Sequence, residues 1–253
     1  METTNPASRL HALLSEAKAQ QVRGSGQAIN LWRIVFRLPE DGSEEKTLTR
    51  VISGLLQLQK LINETEASLL SIEGLHERHF RPFGRIKEVP RVSLLALHQD
   101  VSPTLNQVTE GDLTTLEFCA VALESMHIES DTDESELQDI LTEVNALFDD
   151  VMQSNIDPDL QTFILDGLEA IRRGIYEFRI RGSERLKEAM GEIVGDYWVR
   201  HPKPQSEEDE KSWERFSKSV GRFIAVVKFA HGSAKAIQDF VGPLLLGPSH
   251  TSN

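Results

Sequence analysis

"DESELQDILTEVNALFDDVMQS", residues 133–154, carries Leu137, Ile140, Leu141, Val144, Leu147, Phe148, Val151 and Met152 at steps of three and four. At about 100° per residue these side chains stack into one continuous apolar stripe on an α-helix; a half-buried strand would alternate instead. Glu136, Asp139, Glu143 and Asp150 fall together on a flank beside the stripe. Asp131, Asp133 and Glu134 cluster at the start, where the helix dipole favours anions.

The same period continues on both sides. Downstream, "NIDPDL" places Asp157 as a cap and Pro158 at the first position of a helix bearing Leu160, Phe163, Ile164, Leu168, Ile171, Ile175 and Phe178. Gly182 is placed to stop that helix, and Ser183 to cap the next, which carries Leu186, Met190, Ile193 and Val194. "RHPKPQ", 200–205, reads as a linker, and Ser206 with Asp209 resembles a capping box. A last helix runs towards Phe240, with Gly232 and Ser233 as interruptions, Pro243 as a limit and a mobile tail beyond. Upstream, Asn5 and Pro6 open a helix with Leu10, Leu13, Leu14 and Ala17 on one face, closed by "GSG" at 24–26. "INLWRIVFRL", 29–38, is apolar nearly all round and fits a buried helix or a strand equally. After a turn at "PEDGS", 39–43, a long helix is expected with Leu48, Val51, Ile52, Leu55, Leu58, Ile62 and Leu69 in step. Prolines and a glycine make 76–91 a loop or a set of short turns, and weaker helices are expected at 92–99 and 112–126.

These readings give an all-α, multi-helix, bundle-like globular protein of roughly eight to ten helices, on ordinary helix lengths. Its organisation is an N-terminal helical region, 1–130, and a C-terminal one, 131–253, or one continuous domain. An apolar content of 39% with 26% charged residues is that of a folded chain. No apolar run reaches the ~18 residues a membrane span requires. The N-terminus has no secretory h-region, and the single Cys119 excludes an intrachain disulfide, so a cytoplasmic setting is expected.

Charge is the strongest functional signal. The net charge is −13, and residues 92–171 hold eighteen Asp/Glu and no Lys or Arg. This argues against general nucleic-acid or anionic-membrane binding. The acidic tract reads as a solubilising face, as a recognition face for a basic partner, or as a divalent cation site, although "DTDESE" lacks the glycine and ligand register of an EF-hand. In the last helix Lys211, Arg215, Lys218 and Arg222 share one face and Trp213, Phe216, Val220, Phe223 and Val227 the other. That basic amphipathic helix is core-facing with a solvated basic side, or docks on the acidic flank or a partner, or lies on a membrane surface.

Other chemistry has little footing. There is no P-loop, no GxSxG elbow and no CxxC pair, and "GSGQAI" lacks the third glycine of a dinucleotide loop. Glu73/His76 and Glu124/His127 have the Glu-x-x-His spacing of di-metal bundles, a spacing that composition alone produces about once. In 78–91, Arg78, Arg81, Arg85, Lys87 and Arg91 interleave with Phe80 and Phe83. This suits phosphate contacts with stacking, or a segment whose phenylalanines plug the core while its cations pair with the acidic third; the internal role is favoured.

"RVSLLALH", 91–98, spaces Arg91 and His98 as R-x6-H, which is similar to the arginine–histidine motif of HEPN-type ribonucleases, all-helical and metal-independent. The resemblance covers these eight residues, and Val92 stands where a polar residue commonly follows the arginine. It implies that Arg91 stabilises a phosphate and His98 assists proton transfer. The leading expectation is instead a non-enzymatic interaction protein without cofactor or metal. Its partner-binding residues are Glu136, Asp139, Glu143 and Asp150, and its partner is a protein with a basic surface, or a second copy. A ribonuclease and a peripheral membrane effector stand as alternatives.

Overall fold

The computed structural model describes residues 5–24, 27–39, 43–124 and 134–227. Among them the chain is all-α, with eleven α-helices, one 3-10 turn and no β-strand; an isolated bridge pairs Gln27 with Asp100. The helices form two compact units, each around its own apolar core. The first comprises Met1–Glu129 and Arg179–Gly182, the second Ser130–Phe178 and Ser183–Asn253.

In the first unit α1 (Pro6–Val22) is the central strut, packed on α2 (Ala28–Val35), α3 (Glu44–Leu70) and α7 (Glu110–Leu123). Asn5 explains its start. Its Oδ1 accepts from the amides of Ala7 and Ser8 at 3.1 Å while its Nδ2 donates to Ala120 O at 2.9 Å, so one buried side chain caps α1 and holds α7. The ambiguous 29–38 stretch is helical: Ala28, Leu31, Trp32 and Val35 bury on one face, a helical spacing that a strand would split between two. Trp32 Nε1 donates to Ser93 Oγ at 2.9 Å, and Phe36 stacks on Trp32 with ring centroids 5.2 Å apart. Phe36 also lies over Gly54 of α3, where a Cβ would stand 2.5 Å from its ring atoms.

Residues 76–91, expected as loop or short turns, are largely helical. A 3-10 turn (Glu77–Phe80), α4 (Arg81–Ile86) and α5 (Glu88–Leu95) follow one another, then α6 (Ser102–Leu105). Pro82 and Pro90 fall in the first turns of α4 and α5, where a missing N–H removes no intrahelical bond. The helix expected at 92–99 therefore begins earlier and ends at Leu95. Phe83 plugs the core, Arg85 reaches Asp112 in the capping box of α7, and Lys87 pairs with Glu66 at 2.5 Å. Burial works to raise the Asp112 carboxyl, but the Arg85 guanidinium and the amide and hydroxyl of Thr109 outweigh it and hold the group below the usual carboxylate value. The C-terminal end of helix α9 belongs to this unit: Ile180 joins its core, and Arg179 pairs with Glu16 at 2.7 Å and donates to Val35 O.

The second unit holds α8 (Glu134–Gln153), α9 (Pro158–Arg181, up to Phe178), α10 (Ser183–Arg200) and α11 (Glu207–Val226). The α8 stripe buries Leu137, Ile140, Leu141, Val144, Leu147 and Val151, but Met152 points outward and is 57% exposed. Asp157 caps α9 by accepting from the amides of Asp159 and Leu160 at 3.0 Å, and Gly182, at φ +66°, ends it. Phe163, Trp213 and Phe216 form an aromatic centre, with Phe163 stacked on Trp213 at 5.9 Å and edge-on to Phe216 at 5.6 Å. The continuation expected towards Phe240, with Gly232, Ser233 and Pro243, lies outside the described residues, as do Asp131, Asp133 and the turn residues 40–42.

Asp209 ties two chain segments of this unit together. Its Oδ1 accepts from Asp157 N at 3.0 Å, its Oδ2 from Gln205 N and Ser206 N at 2.9 Å, and its own amide donates to Ser206 Oγ. Burial alone would raise this carboxyl; the three backbone amides and the Ser206 hydroxyl outweigh burial and lower it. A carboxylate depressed in the folded state adds stability that is complete above its unfolded pKa, about 3.9, and is lost as pH falls through the lower folded value. Acid unfolding below about pH 4 is thus expected to draw on Asp209 and Asp112. Asp209→Ala should lower stability by on the order of 3 kcal/mol at neutral pH and shrink the acid-dependent part of the unfolding curve. An unchanged acid limb would show that other groups set it.

Candidate functional site

Within the second unit α9 and α10 run antiparallel, since Gly174 meets Ala189, Arg173 meets Glu192 and Asp166 meets Arg200. A groove of about 550 Å³ lies along this seam. Its floor is small or apolar: Phe163, Gly167, Ala170, Ile193 and the glycines 191 and 195. Its rim is charged, with Asp166, Glu169 and Arg173 from α9 and Glu192, Asp196 and Arg200 from α10. Arg200 bridges Asp166 at 2.8 Å and Asp196 at 3.0 Å, and Arg173 bridges Glu192 at 2.5 Å, so an arginine clip crosses each end. Beneath the rim, Arg185, its side chain 3% exposed, binds Glu177 at 2.8 Å and Glu192 at 3.2 Å.

The glycines of α9 and α10 differ in cause. Gly167 and Gly174 make room for internal neighbours: a Cβ at 167 would stand 2.7 Å from the Phe216 ring, and one at 174 would stand 3.0 Å from the Ala189 Cβ. A Cβ at Gly191 or Gly195 would meet nothing within 4 Å. Mid-helix glycine costs about 1 kcal/mol relative to alanine, and no contact among the described residues requires it at these two positions.

The four carboxylates singled out in the sequence are all exposed on α8, but two are engaged by α11. Asp150 accepts from Arg215 at 2.7 Å, and Glu143 pairs with Arg222. Each row steps by seven residues in opposite directions, so α8 and α11 lie antiparallel with a charged ladder along their contact. Lys211 is held by Glu207 at 2.7 Å one turn away, and Lys218 is exposed. Glu136 and Asp139 remain as the outward part of the flank. The basic face of α11 thus supplies part of the cations missing from 92–171, and Arg85 at Asp112 supplies another.

Arg91 and His98 are not carried on one helix. Arg91 is exposed on α5 and pairs with Glu88 at 3.1 Å, whereas His98 sits exposed in the turn after Leu95. That turn also anchors the start of α2, because Leu97 O and Gln99 O accept from its first amides, Ile29 N and Ala28 N, at 2.9 and 3.0 Å. Arg78 and His79 line a second depression, about 620 Å³, beside exposed Phe118 and Val121 of α7. Glu73 and His76 lie in the turns between α3 and the 3-10 element, not on a helix, and His127 lies outside the described residues. Among the described residues no group of three or more His, Cys, Asp or Glu converges as metal ligands do, and no helix is long and apolar enough to cross a membrane.

Comparison of the chain with protein families, curated proteins and solved structures gave no match in any of the three.

Proposed function

We propose that this chain is a non-enzymatic interaction module whose acidic C-terminal unit engages a basic surface on another protein. One observation carries the reading: the second unit holds 12 Lys/Arg against 23 Asp/Glu, a net −11, whereas the first holds 15 against 17. A field of one sign over one unit steers oppositely charged partners and disfavours acidic ones. The ladder to Arg215 and Arg222 neutralises Glu143 and Asp150, and arginines likewise pair with the carboxylates of the α9/α10 groove, so the face offered on α8 consists of Glu136 and Asp139. A second copy would bring the same −13, so the partner is a different chain.

Cys119 plays no part in this chemistry. It is buried, and burial pushes its thiol up to about 11, so it stays protonated and a poor nucleophile. A reducing compartment such as the cytoplasm suits a free thiol of this kind.

The test is direct binding to a lysine-bearing helical peptide and to its glutamate counterpart at low salt. The lysine peptide is expected to bind and the glutamate peptide to fail. Equal binding of both, or of neither, contradicts the reading.

A further inference from the structure

We infer that the depression between the 3-10 turn (Glu77–Phe80) and α7 is a binding site for a small molecule with an apolar body and one carboxylate, which Arg78 holds. The site lies in the first unit and is independent of the partner proposed for the acidic C-terminal unit.

Its wall is apolar because α7 carries more apolar side chains than its core can take. That helix buries Leu113, Leu116, Cys119 and Leu123, yet also turns Phe118 and Val121 outward, 65% and 64% exposed. A surface helix ordinarily keeps its outer face polar, and apolar side chains gathered beside a hollow mark a binding surface. Here they border a hollow of about 620 Å³, to which Leu75 and Ala122 add further apolar wall. Small-molecule sites run from about 300 to 1,000 Å³, so there is room for a chain or ring of about ten heavy atoms. Cys119 joins the same wall: burial pushes its thiol up to about 11, so it stays protonated and uncharged. The opposite side is fixed from within. Leu75 and Phe80 pack on the core, Phe83 is buried in it, and Arg85 of α4 grips Asp112 in the capping box of α7.

The polar side chains select the ligand's charge. Among the described residues no carboxylate lines the hollow, in a chain of net −13. Thr115 donates its hydroxyl hydrogen to Gly111 O at 2.7 Å. His79 Nδ1 donates to His76 O at 3.0 Å, because a carbonyl only accepts. Arg78 is left as the one fixed charge in the lining, and it makes no ion pair among the described residues, not even with its neighbour Glu77. The carboxylates of α7 are engaged elsewhere: Asp112 by Arg85, Glu110 by Lys18 at 3.4 Å and Glu117 by His11 at 3.4 Å. A guanidinium presents a planar fork that takes a carboxylate through two parallel bonds. One cation matches one negative charge, and the −13 of the whole chain disfavours a dianion such as a phosphate monoester.

The probe is octanoate, titrated calorimetrically into the whole chain below the concentration at which it forms micelles. One equivalent is expected to bind. Octanol, the same chain without the charge, should bind at least tenfold weaker, and octylammonium not at all. Hexanoate should bind about tenfold weaker than octanoate, since each buried methylene is worth up to about fourfold. Arg78→Gln should weaken octanoate at least tenfold and leave octanol within twofold, and Arg78→Lys should restore part of the loss. Val121→Asp, which sets a carboxylate on the wall, should abolish octanoate binding. Melting curves of all three variants should match the wild type, because both side chains are exposed. Octanol or octylammonium binding as tightly as octanoate, undiminished octanoate binding by Arg78→Gln or Val121→Asp, or no saturable binding to the wild-type chain overturns the assignment. Each of these failures leaves the reading of the C-terminal unit standing.

Discussion

Gly54→Ala should destabilise the N-terminal unit by about 3 kcal/mol, although the same exchange at an open helix position stabilises by up to about 1 kcal/mol. The added Cβ would lie 2.5 Å from two ring atoms of Phe36 and 3.3 Å from its Cγ. The ring has no easy retreat. It is 2% exposed and stacks on Trp32, whose Nε1 is fixed to Ser93. Overpacking of this kind costs about 1–3 kcal/mol or more and outweighs the gain in helix propensity. Gly167→Ala meets Phe216 at 2.7 Å, a ring boxed in by Phe163 and Trp213, and should cost about 2 kcal/mol in the C-terminal unit. Gly195→Ala and Gly191→Ala should each gain up to about 1 kcal/mol. Urea unfolding resolves the two units, with Trp32 reporting the first and Trp198 and Trp213 the second. Four shifts of the same sign would contradict the packing described at these glycines.

Arg185→Met should cost about 3 kcal/mol, and Glu177→Gln only about 1. The Arg185 guanidinium is buried between Glu177 at 2.8 Å, Glu192 at 3.2 Å and Glu188 at 3.7 Å. Methionine keeps much of the apolar stem but removes the cation that three carboxylates share. Glu177 is 17% exposed and cannot rehydrate fully, whereas Glu188 and Glu192 are about two-fifths exposed and can. That places the loss near the lower end of what breaking a buried pair costs. Losing Glu177 alone leaves Arg185 with its other two partners, hence the asymmetry. Chemical denaturation of both variants checks it, and equal losses would show that the guanidinium serves Glu177 alone.

Much of the helical framework is legible in the sequence because its signals are local. Asn5 with Pro6, Asp157 with Pro158, and Ser206 with Asp209 mark helix starts through bonds made within a few residues, and each start stands where they place it. The 29–38 stretch is ambiguous because its apolar run fits two periods, and only burial of Leu31, Trp32 and Val35 on one face separates them. In 76–91 proline suggests a break in the chain's helicity, yet Pro82 and Pro90 sit where helices begin. Met152 fits the α8 period but lies at the edge of the stripe and faces out.

The site is legible in charge but not in position. The gap at 92–171 is plain in the sequence, yet whether Glu143 and Asp150 face solvent or Arg222 and Arg215 depends on how α11 lies against α8. The matched seven-residue spacing in the two rows is the available clue. Gly191 and Gly195 are likewise visible as a pair four apart. Sequence alone does not distinguish them from Gly167, because what fills the space beside a glycine comes from other helices.

The most direct test of the account is the affinity of the chain for the lysine-bearing helix at two ionic strengths. At about 0.01 M salt charges act over about 30 Å, and at about 1 M over about 3 Å. The account predicts binding at low salt that weakens at least tenfold at high salt, in step with the −11 carried by the C-terminal unit. Affinity that stays constant between the two, or no binding at low salt, would contradict it.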